Sequence, residues 1–226
     1  MKSYILILIS LFLYSCNFSQ DNKPKIRFTE KQLNSPTQNE KAMSYYNQGY
    51  EAFHKEDYRT AISFYRAAIK YDSAYTDAYD NLGLSYRRLN ILDSAEFFYI
   101  KSLSILPTNL IALNNLALVY VHEGNLDKAE LTYLQILKID STEPDGYYGL
   151  ADIYYQTSKF ELSIRNGLKA YELWKQSNKI YAGDAISFVG VSYLSLNDKK
   201  NAKKYFSLAS SLGRNISSEY LKQTEE

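Results

Sequence analysis

The sequence predicts an all-α fold, a solenoid of five helical hairpins closed by a C-terminal capping helix. Three observations carry that expectation. Small residues recur at a fixed interval of 34: Gly49, Gly83, Ala117 and Ala151 form one series, and Ala61, Ala95, Ala129 and Ser163 another. Within each interval the apolar residues fall three and four apart, the helical period, as in Tyr79, Leu82 and Tyr86 and again in Ala95, Phe98, Tyr99, Ser102 and Leu103. Proline is scarce, at 4 of 226 residues, which suits a chain built of helices. One such hairpin cannot bury its apolar face alone, so units repeating at this spacing must stack.

Before the repeats begin, Lys2 precedes an apolar run from Ile5 to Leu13, broken only by Ser10. The run is shorter than the roughly 20 residues that span a bilayer and has the length of a signal-peptide core. It ends in Leu13-Tyr14-Ser15-Cys16, and Cys16 is the only cysteine. This segment resembles the lipobox of bacterial lipoproteins, with Tyr14 where that family usually has a small or β-branched residue. The resemblance implies a signal peptide over 1–15, lipidation at Cys16, and a lipid-anchored protein of the bacterial cell envelope. Without it, the same residues read as an ordinary secretory signal with an incidental cysteine. The absence of an acidic cluster after Cys16 favours a periplasm-facing anchor. Residues 17–36 are polar, contain Pro24 and Pro36 and show no period, so they read as a tether with a reach of about 25 Å.

Order is expected from Thr37-Gln38-Asn39-Glu40, a Thr-x-x-Glu capping box. Large residues then keep the same beat as the small ones: Tyr45, Tyr79, Leu113 and Tyr147, followed by Tyr58, Leu92, Leu126 and Phe160. A third series, Tyr65, Tyr99 and Tyr133, breaks at Gly167. A fifth unit follows after five extra residues, with Gly190, Tyr193, Ala202, Phe206 and Ala209. Turns are marked by Leu89-Asn90-Ile91, Glu123-Gly124-Asn125 and Leu196-Asn197-Asp198. Pro107 stops one helix, and Pro144 sits where it can open the next. The pattern resembles the tetratricopeptide repeat, most fully in Tyr79, Leu82, Gly83, Tyr86, Ala95, Tyr99 and Pro107. It places repeats at about 42–75, 76–109, 110–143, 144–177 and 183–216 within a domain spanning 37–226. The resemblance implies a right-handed superhelix. Residues 217–226 form the cap, with Tyr220 and Leu221 as its apolar contacts.

Lys and Arg number 26 against 25 Asp and Glu, and residues 16–226 carry 25 of each, so the clustered basic surface that nucleic acid requires is not expected. A single cysteine excludes an internal disulfide and a cysteine-built zinc site. His54 and His122 are 68 residues apart, two repeats, which is too far to share a metal. No phosphate-binding glycine loop or nucleophile elbow is present, so neither an enzyme nor a cofactor or metal is expected. Most of the 23 tyrosines fall at repeat positions and are expected to pack.

The family resemblance implies that the first helix of each hairpin lines a concave groove that binds a protein or peptide segment. Carried over by position, it gives Tyr46, Asn47 and Tyr50; Asp80, Asn81, Leu84, Arg87 and Arg88; Asn114, Asn115 and Leu118; and Tyr148, Asp152 and Tyr155. Asn47, Asn81 and Asn115 form a ladder that could pair with a peptide backbone, because an amide both donates and accepts. Equally, asparagine is common there in the family, and the ladder then reflects ancestry. The carboxylate-clamp pattern is not met: Tyr46, Tyr50, Ile111 and Asn115 stand where that subgroup has basic residues or asparagine. The expected partner is a segment with aromatic or apolar anchors and some acidic character. The role expected is a membrane-anchored scaffold or adaptor resembling envelope adaptors or pilotin-type assembly factors. The alternative is a solenoid that self-associates, for instance as a homodimer, through Tyr45, Tyr46, Tyr50 and Phe53.

Overall fold

A computed structural model describes residues 37–225, which form eleven helices and no strand. The expectations for the signal peptide, Cys16 and the tether lie outside the described residues. Five hairpins follow in order: α1 (Glu40–His54) with α2 (Tyr58–Tyr71), α3 (Thr76–Arg88) with α4 (Leu92–Ile105), α5 (Leu110–His122) with α6 (Leu126–Ile139), α7 (Pro144–Gln156) with α8 (Phe160–Trp174), and α9 (Lys179–Ser195) with α10 (Lys199–Ser211). A last short helix, α11 (Ser218–Gln223), follows. Each helix packs on its neighbours in the chain. The first helices of successive hairpins also touch one another, α1 with α3, α3 with α5, α5 with α7 and α7 with α9. Among the described residues no two second helices make comparable contact, so the first helices form the inner side of the stack and the second helices the outer.

Every hairpin turns in the same way. Glu56, Asn90, Gly124, Ser158 and Asn197 all take left-handed backbone angles, with φ of 60°, 60°, 75°, 59° and 62°. The following amide reaches back to a carbonyl of the first helix: Asp57 to Ala52, Ile91 to Tyr86, Asn125 to Tyr120, Lys159 to Tyr154 and Asp198 to Tyr193, at 2.8–3.0 Å. This double-bonded helix ending satisfies carbonyls that the helix itself leaves free. The next helix is capped at once where the sequence allows it, by the side chains of Asp57, Asn125 and Asp198. At the start of the domain the capping box does not form. Asn39 is the N-cap, its side chain accepting from the Lys41 and Ala42 amides, and Thr37 accepts from the Asn39 amide while its hydroxyl donates to Asp72. Asn39, closer to the helix, outcompetes Thr37, which is drawn to the end of the first hairpin. Pro144 sits in the first turn of α7 as expected.

The 34-residue beat is a packing rule. A Cβ added to Gly83 would lie 2.8 Å from the Tyr99 ring, and Gly49 with Tyr65 and Gly190 with Phe206 repeat the relation at 2.7 and 2.5 Å. Tyr65, Tyr99 and Phe206 are fully buried, and Tyr133 nearly so. Each such ring contributes about 1.5–3 kcal/mol by leaving water. The broken series at Gly167 has a specific compensation. There a Cβ would meet Val189 Cγ2 at 2.8 Å and the Ala185 carbonyl at 3.1 Å, so α9 moves into the space that a ring fills elsewhere. Ser163, in place of alanine, donates to the Ala151 carbonyl (2.8 Å) and accepts from Ser192 (2.9 Å). The five inserted residues extend α9, which has 17 residues where α3, α5 and α7 have 13. At the far end Tyr220 of α11 stacks on Phe206 at 5.8 Å. Leu221, expected to share that contact, is 37% exposed, because consecutive residues on a helix point about 100° apart and α11 turns Tyr220 toward Phe206.

Two substitutions read this architecture in opposite directions. Ala129 is fully buried, and Ala129→Asp is expected to remove about 4 kcal/mol or more of unfolding free energy. Ser158→Gly relieves a left-handed conformation and is expected to add about 0.5–1 kcal/mol. Urea denaturation followed by circular dichroism measures both.

Candidate functional site

The inner face is a row of five first helices, and hydrogen bonds between them set its geometry. Asn81 Nδ2 donates to the Tyr46 hydroxyl (3.0 Å), joining hairpins one and two, and to the Asp77 carbonyl of its own helix (2.9 Å). Arg87 donates to Asn115 Oδ1 (3.3 Å), joining hairpins two and three, while Asn115 Nδ2 donates to the Ile111 carbonyl (3.0 Å). Asp80 Oδ2 accepts from Asn109 Nδ2 (2.7 Å), which also donates to Ser102 (2.9 Å). Asn109 is itself the N-cap of α5, so one side chain ties α3, α4 and α5 together.

Of the fourteen positions expected from sequence, Asp80, Asn81, Leu84 and Asn115 are buried. Tyr46, Arg87, Arg88, Asn114, Leu118, Tyr148, Asp152 and Tyr155 are half-buried, and Asn47 and Tyr50 are exposed. The asparagine ladder therefore divides. Asn47 stands free of the core, whereas Asn81 and Asn115 brace neighbouring hairpins, and both amide protons of Asn81 are engaged inside the protein.

Aromatic side chains mark the two ends of the row. Tyr46 lies against Tyr65 and Tyr75 at 5.6 and 5.1 Å, and Tyr50 meets His54 edge-on at 4.2 Å. Tyr148 meets Trp174 and Phe188 at 5.5 and 5.4 Å, and Tyr155 faces Phe160 and Phe188 at 5.8 and 6.2 Å. Phe188 was not among the expected positions, nor were Asp77, Asp184 and Arg214. The signal was available: Asp184 stands one 39-residue step after Asp145, which is two repeats after Asp77, and Phe188 shares a repeat position with Asn81 and Asn115. Asp184 is held by Arg214 Nε at 2.7 Å, a pair with side chains only 10% and 15% exposed.

Carboxylates in this row are difficult to ionise. Burial, and then the neighbouring Asp80 charge, push the Asp77 carboxyl up to about 7. Burial pushes Asp80 up to about 6 against the opposing hydrogen bonds from Ser102 and Asn109. Asp184 is also raised to about 6 by burial, opposed by Arg214, and Asp152 is raised by burial, opposed by its bond from Gln156. On α3 three polar atoms are buried without a hydrogen-bond partner: Asp80 Oδ1 and the Nε atoms of Arg87 and Arg88. Among the described residues no group of three or more His, Cys, Asp or Glu is placed to hold a metal ion.

The tetratricopeptide repeat profile matches residues 42–75, 76–109, 110–143 and 184–214, more than half of the chain. The chain belongs to the tetratricopeptide repeat family. The fourth tetratricopeptide hairpin, with Ser163 and Gly167, is not among the matched units. No curated protein sequence matches the chain. Among solved structures, pilF of Pseudomonas aeruginosa superposes with a TM-score of 0.71 at 17% identity, covering 81% of each chain. A MamA fragment from Desulfovibrio magneticus RS-1 gives 0.67 at 17% identity, over 79% of this chain and 98% of its own. YrrB, described as a tetratricopeptide protein with an unusual peptide-binding site, gives 0.62 at 16% identity over 82% and 92%. At these identities the likeness shows the tetratricopeptide fold and nothing finer.

The raised carboxyls make stability depend on pH with a definite sign. Asp77, Asp80 and Asp184 hold protons in the folded state that the unfolded chain, titrating near 3.8, has already released. Their contribution to stability is therefore lost as pH rises from about 4 to about 7. The midpoint of thermal unfolding is expected to be higher at pH 5 than at pH 7.5. Asp77→Asn is expected to flatten that dependence; a midpoint that rises steadily toward pH 7.5 would contradict the assignment.

Proposed function

We propose that this chain is a protein-interaction scaffold, a lipid-anchored adaptor of the bacterial cell envelope whose inner row of first helices binds a protein or peptide segment. The observation that supports the groove is the set of buried atoms without partners, Asp80 Oδ1 and the Nε atoms of Arg87 and Arg88, lying in a row with aromatic side chains toward its ends. A buried donor or acceptor left unpaired costs about 1–3 kcal/mol, so a ligand that completes these bonds gains what the free protein lacks. Such a segment brings acceptors to the arginines, a donor to Asp80, and aromatic or apolar anchors to Tyr50 and Tyr155. The peptide-binding site named for YrrB accords with this reading, as does membership of a family of repeat modules. The anchor rests on the sequence Leu13-Tyr14-Ser15-Cys16. We assign no catalytic role. End-to-end self-association is the weaker reading: α1 exposes mostly polar residues, and Tyr45, Tyr46 and Phe53 pack against Tyr71, Tyr65 and Tyr58.

Crosslinking in intact cells followed by mass spectrometry identifies the partner, which is then titrated against variants. Arg87→Ala, Arg88→Ala and Tyr148→Ala are each expected to weaken binding about tenfold, with outer-face changes near neutral. If none of the three weakens binding while outer-face changes do, the groove is not the site. Separately, Cys16→Ala is expected to leave the protein in the soluble fraction or uncleaved, and an unmodified, intact amino terminus in the parent would refute the anchor.

A further inference from the structure

The outer face has a pattern of its own that the inner-face reading does not use. At one pair of register positions the second helices carry Ser63 and Arg66 on α2, Phe97 and Ile100 on α4, Leu131 and Leu134 on α6, Arg165 and Leu168 on α8, and Lys204 and Ser207 on α10. Hairpins two and three thus place two large apolar side chains each at positions where hairpins one, four and five each place a single basic residue, Arg66, Arg165 and Lys204. Phe97, Ile100, Leu131 and Leu134 are 52%, 47%, 68% and 43% exposed. Summed over two neighbouring ridges they expose on the order of 400 Å², within the range of the largest apolar patches on a monomer, which are often functional. The inward sides of α4 and α6 are filled by Ala95, Tyr99, Ser102, Ala129, Tyr133 and Ile136, so the core does not require the outer four.

Charge is segregated along with them. The five second helices carry twelve Lys and Arg against six Asp and Glu, net +6, whereas the five first helices carry four against seven, net −3. The excess lies on α2, with Arg59, Arg66 and Lys70, and on α10, with Lys199, Lys200, Lys203 and Lys204, neither of which contains an acidic residue; α4 is net −1, and α6 and α8 are balanced. The acids nearest the patch are Asp93 and Glu96 on α4 and Asp127 and Glu130 on α6. Glu96 is held by the Tyr120 hydroxyl (2.9 Å) and Lys128 (3.7 Å), and Glu130 by the Tyr154 hydroxyl (2.8 Å) and Lys159 (3.9 Å).

We propose that the outer face of hairpins two and three lies against an anionic lipid surface. Phe97, Ile100, Leu131 and Leu134 enter the headgroup layer while Arg59, Arg66 and Lys70 of the adjoining α2 and Arg165 of α8 meet lipid phosphates. Exposed apolar side chains beside basic ones are the physical requirements of interfacial binding, and the three basic residues of α2 outnumber the exposed Asp93 and Asp127. A second copy of this chain fits less well. The apolar area is about half of what each partner buries in a stable dimer, and two copies meeting face to face would bring like charge together. Nor does the face suit a folded protein, which would have to offer matching hollows to four side chains standing out from two helices; a fluid headgroup layer adapts to them. The proposal does not rest on lipidation of Cys16.

The test uses the full chain with Cys16→Ala, carrying a single new cysteine labelled with an environment-sensitive dye. With Leu131→Cys labelled, phosphatidylglycerol vesicles are expected to give a blue shift that phosphatidylcholine vesicles do not. Labelled Asn47→Cys, on the inner side, is expected to give none. Adding Arg59→Glu and Lys70→Glu, on the outer stripe of the adjoining α2, is expected to weaken vesicle binding about tenfold or more, with an unchanged circular-dichroism spectrum confirming the fold. No shift at residue 131 with either vesicle overturns the proposal. So do equal shifts at residues 131 and 47, which would report insertion by residues 1–15. A shift that grows with protein concentration in the absence of vesicles would assign the face to a second copy and overturn it equally.

Discussion

The structure depends on one recurring contact, an aromatic ring of the second helix seated on a residue that lacks a side chain in the first. Tyr65 on Gly49, Tyr99 on Gly83 and Phe206 on Gly190 are the same contact. The absent Cβ lets two helices approach closely, and the ring fills the space this leaves. Because the ring is large and the gap is fixed, the contact sets both the spacing and the register of a hairpin. The turn is common to all five hairpins, including the two without a glycine under the ring, and five positions share the same left-handed backbone angle. Glu56 and Ser158 accept that conformation without the steric freedom of Gly124 or the local hydrogen bonding that eases Asn90 and Asn197. Tertiary packing outweighs local preference at those two positions.

Stacking follows from the hairpin and divides the surface. Among the described residues first helices touch one another and no two second helices make comparable contact, so one side is a continuous row and the other a set of separated ridges. The two sides carry opposite net charge, +6 outside and −3 inside, in a chain whose overall balance is nearly even. A count over the whole sequence averages this difference away. It becomes visible only when residues are assigned to helices, because neutrality in composition says nothing about neutrality of a face.

The repeat made the fold legible: the 34-residue beat and the helical period within it are independent signals that agree, which is the condition for a sequence to specify one structure. The fifth unit could be placed despite its offset because Gly190 and Phe206 preserve the ring contact. What could not be read was how a departure is absorbed. Gly167 looks like a defect in the pattern, yet Val189 reaches it from the next hairpin along a helix one turn longer than its counterparts. The capping box failed for a related reason. Thr37 and Asn39 are both good caps by sequence, and Asp72, 35 residues away, decides between them. In the groove, position along the repeat located the first-helix residues but could not say which of them pair with each other. Asn47, Asn81 and Asn115 are equivalent in sequence, and only Asn81 and Asn115 have a neighbour, Tyr46 or Arg87, within hydrogen-bond reach.

Helix α3 departs furthest from the rule that organises the rest. Its inward residues include Asp77, Asp80, Asn81 and Ser85, all buried, where α5 at the corresponding places carries Ile111, Asn114, Asn115 and Val119. An apolar α3 would pack as well and would avoid holding two carboxyl groups in an environment that resists their ionisation. Part of the polar set is used to join hairpins, through Asn109 and Tyr46. Joining requires one oxygen of Asp80 and leaves the other unsatisfied, and it gives no use to Asp77 or to the Nε atoms of Arg87 and Arg88. Three of the six buried polar atoms without a hydrogen-bond partner among the described residues thus lie on one helix at the second hairpin; the others are the Tyr65 and Tyr99 hydroxyls and Asp184 Oδ1, which Arg214 holds as an ion pair. Polar groups that weaken the free protein are most readily maintained where something outside the chain completes them. By that argument α3, more than the aromatic ends of the row, is where the proposed ligand must make its hydrogen bonds.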